Sequence, residues 1–200
     1  MTERQWVRRG ELLEAARRVF ERDGYHAATV SAIVQSAGLS QGAFYLYFAD
    51  KKAIFAALQE EMAVLLRRRI YWATREERDP RRRLEAGLHA YFEFYDEYRA
   101  WNRRLMTEGL GIDESFESRQ IDLYETLAAG FRPTMDQLAV RSPELATAAL
   151  IGMAAQVAYW RYVQRSEQTA DPHALAAACA ALFLDGAPSM PNPTQAEGGS

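Results

Sequence analysis

The feature that most constrains this chain is the spacing of its apolar residues, which recur every three to four positions through most of the sequence. That spacing is typical of helices with one buried face, whereas a half-buried strand shows a two-residue alternation. No sustained alternation enriched in β-branched residues occurs in the 200 residues. The pattern therefore predicts an all-α protein.

Short-range signals set the boundaries of the early helices. The apolar stripe of the first helix comprises Leu12, Ala16, Val19 and Phe20. That helix is expected to end near Asp23-Gly24, because glycine lets the chain leave a helix without steric cost. A long later helix is predicted to begin after the capping residue Asp50 and to extend to about Arg75, since apolar residues continue at helical spacing.

Three further helix starts share a capping residue followed by proline: Asp79-Pro80, Ser142-Pro143 and Asp171-Pro172. Proline suits the first turn of a helix, where its missing N–H has no partner to lose. Helices are predicted over about 81–99, 143–164 and 172–184, with a short segment at 101–108 and another helix over 116–129. Pro133 breaks or kinks any helix through 130–141, so that stretch has no assignment.

Two short helices joined by a glycine turn lie within residues 29–47. Thr29 opens the first, Gly38 turns the chain, and Ser40 caps the second, which runs toward Tyr47. A pair of helices joined by three or four residues that include glycine forms the helix-turn-helix unit, whose second helix enters the major groove of DNA. The spacing predicts such a unit here.

The side chains around this unit suit DNA contacts. Small or amide-bearing residues begin the second helix, and Gln41 has the groups to pair with adenine. Tyr45, Tyr47 and Lys51 are predicted to bind phosphates, while Phe44 and Phe48 are predicted to be core. The full predicted set of DNA-contacting residues is Thr29, Ser40, Gln41, Gly42, Ala43, Tyr45, Tyr47 and Lys51.

Charge and composition favour the same partner only weakly. The net charge is −3, but residues 1–55 hold eight Lys/Arg against six Asp/Glu, 8 − 6 = +2, which leaves −5 for the remainder. Basic side chains at Arg4, Arg8 and Arg9 precede the predicted core of the first helix and could form an arm that reaches the DNA backbone or minor groove. A single cysteine, Cys179, and the lack of a signal-peptide pattern or a run of about 18 apolar residues predict a cytoplasmic protein without a membrane partner.

From Leu12 to Phe55 the chain resembles the DNA-binding domain of the TetR family of transcriptional regulators. The matching residues are Gly24-Tyr25, Thr29, Ile33-Val34, Ala37-Gly38-Leu39-Ser40, Gly42, Tyr45, Tyr47-Phe48, Lys51 and Ile54. The chain departs from the family pattern at Val34, Tyr47 and Ile54, where the family often has Ala, His and Leu. The resemblance implies a helix-turn-helix domain at 1–50, a larger helical domain for effector binding and dimerisation at 51–186, and a tail at 187–200, which its composition predicts to be disordered.

The resemblance also implies a homodimer that binds a near-palindromic operator, blocks transcription and is released by a small molecule. Small residues on the last two helices permit close approach of a partner: Ala148, Ala149, Gly152, Ala155 and Ala176 to Ala178. An ordinary packing face inside one chain is the alternative. Aromatic residues of the larger domain suggest an apolar or aromatic effector, with Tyr95 and Tyr98 preferred. The predicted effector-binding residues are Tyr91, Tyr95, Tyr98, Trp101, Phe116, Tyr124 and Trp160.

The rival class is an enzyme built on a helical bundle. Glu85, His89 and Glu93 stack on one predicted helix, but the two Glu-x-x-His pairs of a di-iron carboxylate site are absent. No Gly-rich phosphate loop or nucleophile elbow occurs. We therefore expect no catalytic residues, cofactor or metal. A DNA-binding protein that responds to no effector is the second alternative.

Overall fold

A computed structural model of the chain describes residues 2–108, 114–165 and 171–186, apart from the side chains of residues 114–117, 120 and 186. Its helices are α1 (Glu3–Ala27), α2 (Val30–Ala37), α3 (Gln41–Tyr45), α4 (Lys51–Thr74), α5 (Pro80–Glu97), α6 (Arg99–Glu108), α7 (Glu114–Gln137), α8 (Pro143–Tyr159) and α9 (Pro172–Gly186), with a π-helical turn at Trp160–Gln164. No strand occurs in the described ranges. The all-α prediction is confirmed. The predicted disordered tail, residues 187–200, lies outside the described residues.

The predicted caps are present at most helix starts. The Asp50 carboxylate accepts the N–H of Ala53 at 2.7 Å, and Asp79 accepts the N–H groups of Arg81 and Arg82 at 2.8 and 3.1 Å. Asp171 accepts the N–H of His173 at 2.9 Å. These bonds satisfy amides of the first helical turn, which have no partner inside the helix.

Two predictions near α7 and α8 need correction. The helix predicted to end at residue 129 continues through Pro133 to Gln137. Thr134 and Met135 directly after the proline are buried, at 3% and 0% exposure, so tertiary packing outweighs the lost backbone hydrogen bond. Helix α8 begins at Pro143 as predicted, but the Ser142 hydroxyl makes no capping hydrogen bond.

The chain divides into two compact units. The first comprises Met1–Leu65 with Tyr98–Arg119, and the second Leu66–Glu97 with Gln120–Ser200. Fully buried side chains of the first unit include Leu12, Phe20, Phe44, Ile54 and Trp101, and those of the second include Leu84, Leu88, Phe92, Met135 and Leu150. The functional division at residue 50 stays a prediction. None of the helices described has the length and apolar character needed to cross a bilayer.

Candidate DNA interface and effector cavity

The end of α1 and the turn after α2 are shaped by two glycines with positive φ. Gly24 has φ 79° and ψ 168°, which breaks the helical path three residues before α1 ends. Gly38 has φ 65° and ψ 31°, and its N–H bonds back to carbonyls of α2. Both conformations favour glycine because a Cβ would crowd the backbone. The turn at Gly24 sets the direction of the chain toward α2, and the turn at Gly38 sets the direction of α3.

Helix α3 has exposed polar residues at its start and buried phenylalanines on its opposite side. The Ser40 hydroxyl caps α3 by accepting the N–H of Ala43 at 3.2 Å, just as Thr29 caps α2 through Ala32 at 3.1 Å. Phe44 and Phe48 are buried at 0% and 5% exposure. Their rings lie 5.8 Å apart. The core role predicted for both phenylalanines agrees with this burial.

The predicted DNA contacts differ in exposure. Tyr45 is 56% exposed. Thr29, Ser40, Gln41 and Gly42 are also exposed, while Ala43, Tyr47 and Lys51 are half-buried. The exposed members leave polar groups accessible at the start of α3, where base edges are read in helix-turn-helix proteins. Their contacts with DNA remain predictions.

Leu46 is 80% exposed at the end of α3, and it is not among the DNA contacts predicted from the sequence. The sequence does offer a signal for its exposure. Leu46 lies two residues from each of the buried phenylalanines, and that spacing directs its side chain away from the buried face. An exposed leucine beside Tyr45 can contact the methyl group of thymine. Leu46 therefore joins the candidate interface.

The Lys51 ammonium has a different partner from the one predicted. Its Nζ lies 2.7 Å from the carbonyl oxygen of Tyr25, 2.9 Å from that of Ala28 and 3.3 Å from that of His26. An ammonium has three N–H donors, and three carbonyls near the end of α1 accept them. Burial lowers the pKa of Lys51. Lys51 therefore fastens the start of α4 to the end of α1, and in this arrangement no donor remains for a phosphate.

The predicted basic arm is helical. Helix α1 begins at Glu3, with Thr2 and Gln5 forming a reciprocal capping box. Arg8 pairs with Glu11 at 2.8 Å, and the Arg9 guanidinium lies 5.3 Å from the centre of the Phe48 ring. The expectation from the sequence is that these arginines precede the helix core. The correction is that they extend α1 itself, because the capping box starts the helix earlier.

An arginine and a glutamate of α6 form hydrogen bonds with the backbone at the end of α1. The Arg104 guanidinium donates to the carbonyls of Glu21 and Arg22 at 3.3 and 3.0 Å and to the Glu108 carboxylate at 2.6 Å. Glu108 in turn accepts the Tyr25 N–H at 2.9 Å. The helix-turn-helix is thus anchored to a helix about eighty residues later in the chain. No local sequence pattern predicts this contact, because its two sides are far apart along the chain.

A cavity of about 230 Å³ opens between α4, α5 and α7 within the second unit. Its polar lining consists of Arg67, Arg83, Thr74, Thr126 and Thr134. Its other lining residues are Ile70, Tyr71, Leu127, Gly130 and Phe131. A smaller apolar void of about 20 Å³ shares Ile70, Leu127 and Phe131 with it and reaches Leu88, Tyr91, Leu150, Ile151 and Ala154.

The aromatic residues predicted to bind an effector are not all together. Among the predicted residues whose side chains the structure describes, Tyr91 is the one that lines either of these two voids. Tyr95 packs against Tyr91 with ring centres 4.5 Å apart, and burial raises the pKa of both phenols. Tyr124 and Trp160 are 39% and 42% exposed and line neither void.

Tyr98 and Trp101 belong to the first unit. Tyr98 stacks under Arg17 at 5.8 Å, and Trp101 is 2% exposed with its ring 5.5 Å from that of Phe55. The prediction extended the face of α5 past its end at Glu97, after which α6 starts a new helix. The grouping with Tyr91 is corrected for that reason. The side chain of Phe116 lies outside the described residues.

The last two helices carry exposed apolar side chains. On α8, Leu145 is 39% exposed, and Ala149 and Gly152 are exposed as well. On α9, Leu182 is 70% exposed and Ala178 is exposed. Of the other small residues predicted to face a partner, Ala148, Ala155 and Ala177 are half-buried, whereas Ala176 is fully buried and packs inside the chain.

The part of the chain that the structure describes contains no cluster of three or more His, Cys, Asp or Glu side chains able to hold a metal. His89 lies 3.8 Å from Glu93, and its ring centre is 5.3 Å from that of His173. Glu85 does not complete a metal site with this pair.

Residues 12–58 match the model of the family described as bacterial regulatory proteins, tetR family. The transcriptional activator FasR of Mycolicibacterium smegmatis is 34% identical over 114 residues, which are 57% of this chain and 52% of FasR. The transcriptional repressor AcnR of Corynebacterium diphtheriae is 46% identical over 57 residues, 28% of this chain and 30% of AcnR. The chain therefore matches about half, or less, of the length of these curated relatives.

The fold is also similar to that of the regulator FadR from Bacillus subtilis in complex with stearoyl-CoA. The TM-score is 0.76 over 88% of this chain and 98% of that one, at 21% identity. These similar proteins are transcription regulators rather than enzymes. The matched segment, residues 12–58, coincides with the helix-turn-helix described above, so this part of the chain is similar to the DNA-binding domain of the tetR family of bacterial regulatory proteins.

Proposed function

We propose that this protein is a homodimeric, cytoplasmic transcriptional repressor that binds a near-palindromic operator and releases it when a small effector occupies the cavity of the second unit. The observation that carries the DNA-binding role is the exposed start of α3. Gln41, Gly42 and Tyr45 are exposed, whereas the neighbouring Phe44 and Phe48 are buried in the core and anchor this segment. A rigid base under exposed polar groups keeps a reading helix in one orientation.

The exposed faces of α8 and α9 support the dimer. Leu182 leaves 70% of its surface in water, and small residues beside it let another helix approach closely. A two-fold dimer would bury this surface twice, since the same patch is used on both copies. Two copies also supply the two reading helices that a palindromic operator requires.

The cavity supports the effector role. It joins apolar walls to a few polar groups, which is the composition of small-molecule sites. The similar regulator crystallised with stearoyl-CoA shows that a protein of this fold takes a ligand. A ligand changes DNA affinity only by its differential affinity for two states of the protein. AcnR is a repressor and FasR an activator, so the sign of regulation requires its own measurement.

Fluorescence anisotropy on duplexes selected from a random pool tests DNA binding. We expect a two-fold symmetric consensus and an affinity that falls steeply with salt, because phosphate contacts release counterions. Gln41→Ala should change base preference by about 1–3 kcal/mol, whereas Tyr45→Phe should weaken all sequences alike. Gln137→Ala is a matched control at an exposed position of α7, outside both cavities.

Binding that is weak and indifferent to sequence in the ligand-free protein would contradict the proposal. Analytical ultracentrifugation at the same protein concentration tests the dimer, and a monomer on its operator would contradict that part. Transcription in vitro from a promoter that overlaps the selected site distinguishes repression from activation.

A further inference from the structure

We infer that the ligand of the cavity between α4, α5 and α7 is an organic acid, an apolar chain or ring whose single anionic group binds Arg83. This inference rests on the proposed effector role of the cavity and adds the chemical class of the ligand. Three separate observations support it. The charged side chains of the lining are basic, the acids that precede Arg83 already have partners, and the other side of the cavity is apolar.

The lining carries positive charge without negative charge. Arg67 and Arg83 line the cavity, and its described lining includes no aspartate or glutamate. Thr74, Thr126 and Thr134 add hydroxyl groups, although Thr74 and Thr126 already donate to the carbonyls of Ile70 and Asp122, each at 2.8 Å. Guanidinium groups offer paired N–H donors that match a carboxylate or phosphate. A cation in this cavity would meet the like charge of Arg83.

The three acids in the seven residues before Arg83 are already engaged, and Glu85, two residues after it, lies on another side of the helix. The Asp79 carboxylate accepts the N–H groups of Arg81 and Arg82, and Glu77 accepts the N–H of Asp79 at 2.9 Å. Glu76 pairs with Arg75 at 2.7 Å. Among the described residues, none forms an ion pair with Arg83, which is half-buried. A half-buried guanidinium gains most from an anion, because a partly dry site strengthens the attraction.

The other wall of the cavity suits a hydrocarbon. Ile70, Leu127 and Phe131 separate it from the smaller void, which is lined by apolar side chains throughout apart from the Tyr91 hydroxyl. The main cavity, at about 230 Å³, is smaller than the usual range of about 300–1,000 Å³ for ligand pockets. A short chain fits it as it stands, and a longer chain would displace the three dividing side chains into the second void.

Isothermal titration calorimetry on the full chain tests the ligand class with three probes of equal chain length: decanoate, decan-1-ol and decyltrimethylammonium. We expect decanoate to bind at least about tenfold more tightly than decan-1-ol, because the alcohol forms no ion pair. The trimethylammonium probe should bind more weakly than either. Equal affinity for the acid and the alcohol, or no binding of decanoate at millimolar concentration, would overturn the inference.

Matched variants locate the anion. Arg83→Gln should remove the preference for decanoate over decan-1-ol, and Arg83→Lys should retain part of it. Arg82→Gln, the same charge change one residue earlier at an exposed position outside the cavity, should leave the preference intact. A decanoate preference that survives Arg83→Gln in a protein with unchanged circular dichroism would overturn the assignment to Arg83.

A further variant tests the position of the apolar part. A Cβ on Gly87 would lie 3.3 Å from Thr74 Cγ2 and 3.4 Å from Phe131 Cε1, both cavity residues. Gly87→Ala should therefore weaken decanoate and decan-1-ol by the same factor. Unequal effects on the two probes would contradict a shared hydrocarbon site.

The effector role of the cavity and the chemical class of its ligand can be tested separately. Decanoate that binds with the Arg83-dependent preference but leaves operator affinity unchanged would support an acid-binding cavity and refute its role as the regulatory site. Release of the operator by decanoate, at concentrations that match the calorimetric affinity and only with Arg83 present, supports both.

Discussion

Replacing Gly24 with alanine tests how the helix-turn-helix is anchored to α6. At φ 79° and ψ 168°, Gly24 occupies a backbone region that is almost restricted to glycine. A Cβ placed there would lie 2.6 and 2.7 Å from the two carboxylate oxygens of Glu108. Two independent costs follow, one from the backbone and one from the carboxylate.

The free-energy cost of each effect can be estimated. Backbone strain at such a position costs about 1–3 kcal/mol. The clash itself is limited, because Glu108 can rotate away, but rotation gives up its charged hydrogen bond to the Tyr25 N–H, worth about 1.5–3 kcal/mol. The sum predicts that Gly24→Ala lowers the free energy of unfolding by about 2.5–6 kcal/mol.

Urea unfolding followed by circular dichroism measures this free energy. Two other glycines provide controls that carry the same substitution. Gly38 has positive φ but no atom within 4 Å of its added Cβ, so Gly38→Ala should cost only the strain, about 1–2 kcal/mol. Gly10 lies in regular α1 with open space around it, and Gly10→Ala should stabilise by about 0.5–1 kcal/mol.

A double-mutant cycle with Glu108→Ala isolates the carboxylate. If Gly24→Ala already displaces that side chain, adding Glu108→Ala to it should cost almost nothing, whereas Glu108→Ala alone should cost about 1.5–3 kcal/mol. Fully additive effects of the two substitutions would refute the clash mechanism. A Gly24→Ala cost no greater than that of Gly38→Ala would refute the whole account.

Three further outcomes are expected from the same unfolding assay. Lys51→Met should lower the free energy of unfolding by about 1.5–3 kcal/mol, because three carbonyls of the α1 terminus lose a charged donor; a stability change below about 0.5 kcal/mol, with DNA affinity lost, would instead favour the predicted phosphate contact. Thr29→Ala should cost about 1 kcal/mol by removing the α2 cap, and Thr29→Ser should restore most of it. Pro133→Ala should raise stability by about 1–3 kcal/mol, since the helix continues through this residue and regains an N–H donor; a loss of stability would show that the proline shapes the packing of Thr134.

Helix starts were predictable because their signals act over a few residues. Thr29, Ser40, Asp50 and Asp79 each cap the helix that follows, and the hydrogen bond spans only two or three positions. The family pattern depended on the same local features. Ser142 shows the limit, since the proline after it marks the helix start while the serine hydroxyl makes no cap bond.

The sequence by itself determined the helical class and the helix-turn-helix, because apolar period, capping residues and the glycine at position 38 act through neighbouring residues. The tertiary structure decided which distant residues meet. It joined Lys51 to the carbonyls of Tyr25 and Ala28, brought Arg83 of α5 into a cavity with Phe131 of α7, and separated Trp101 from Tyr91. Helical spacing shows which side chains share a face of one helix. Only the packing of helices decides what that face contacts, since many partners offer similar apolar area.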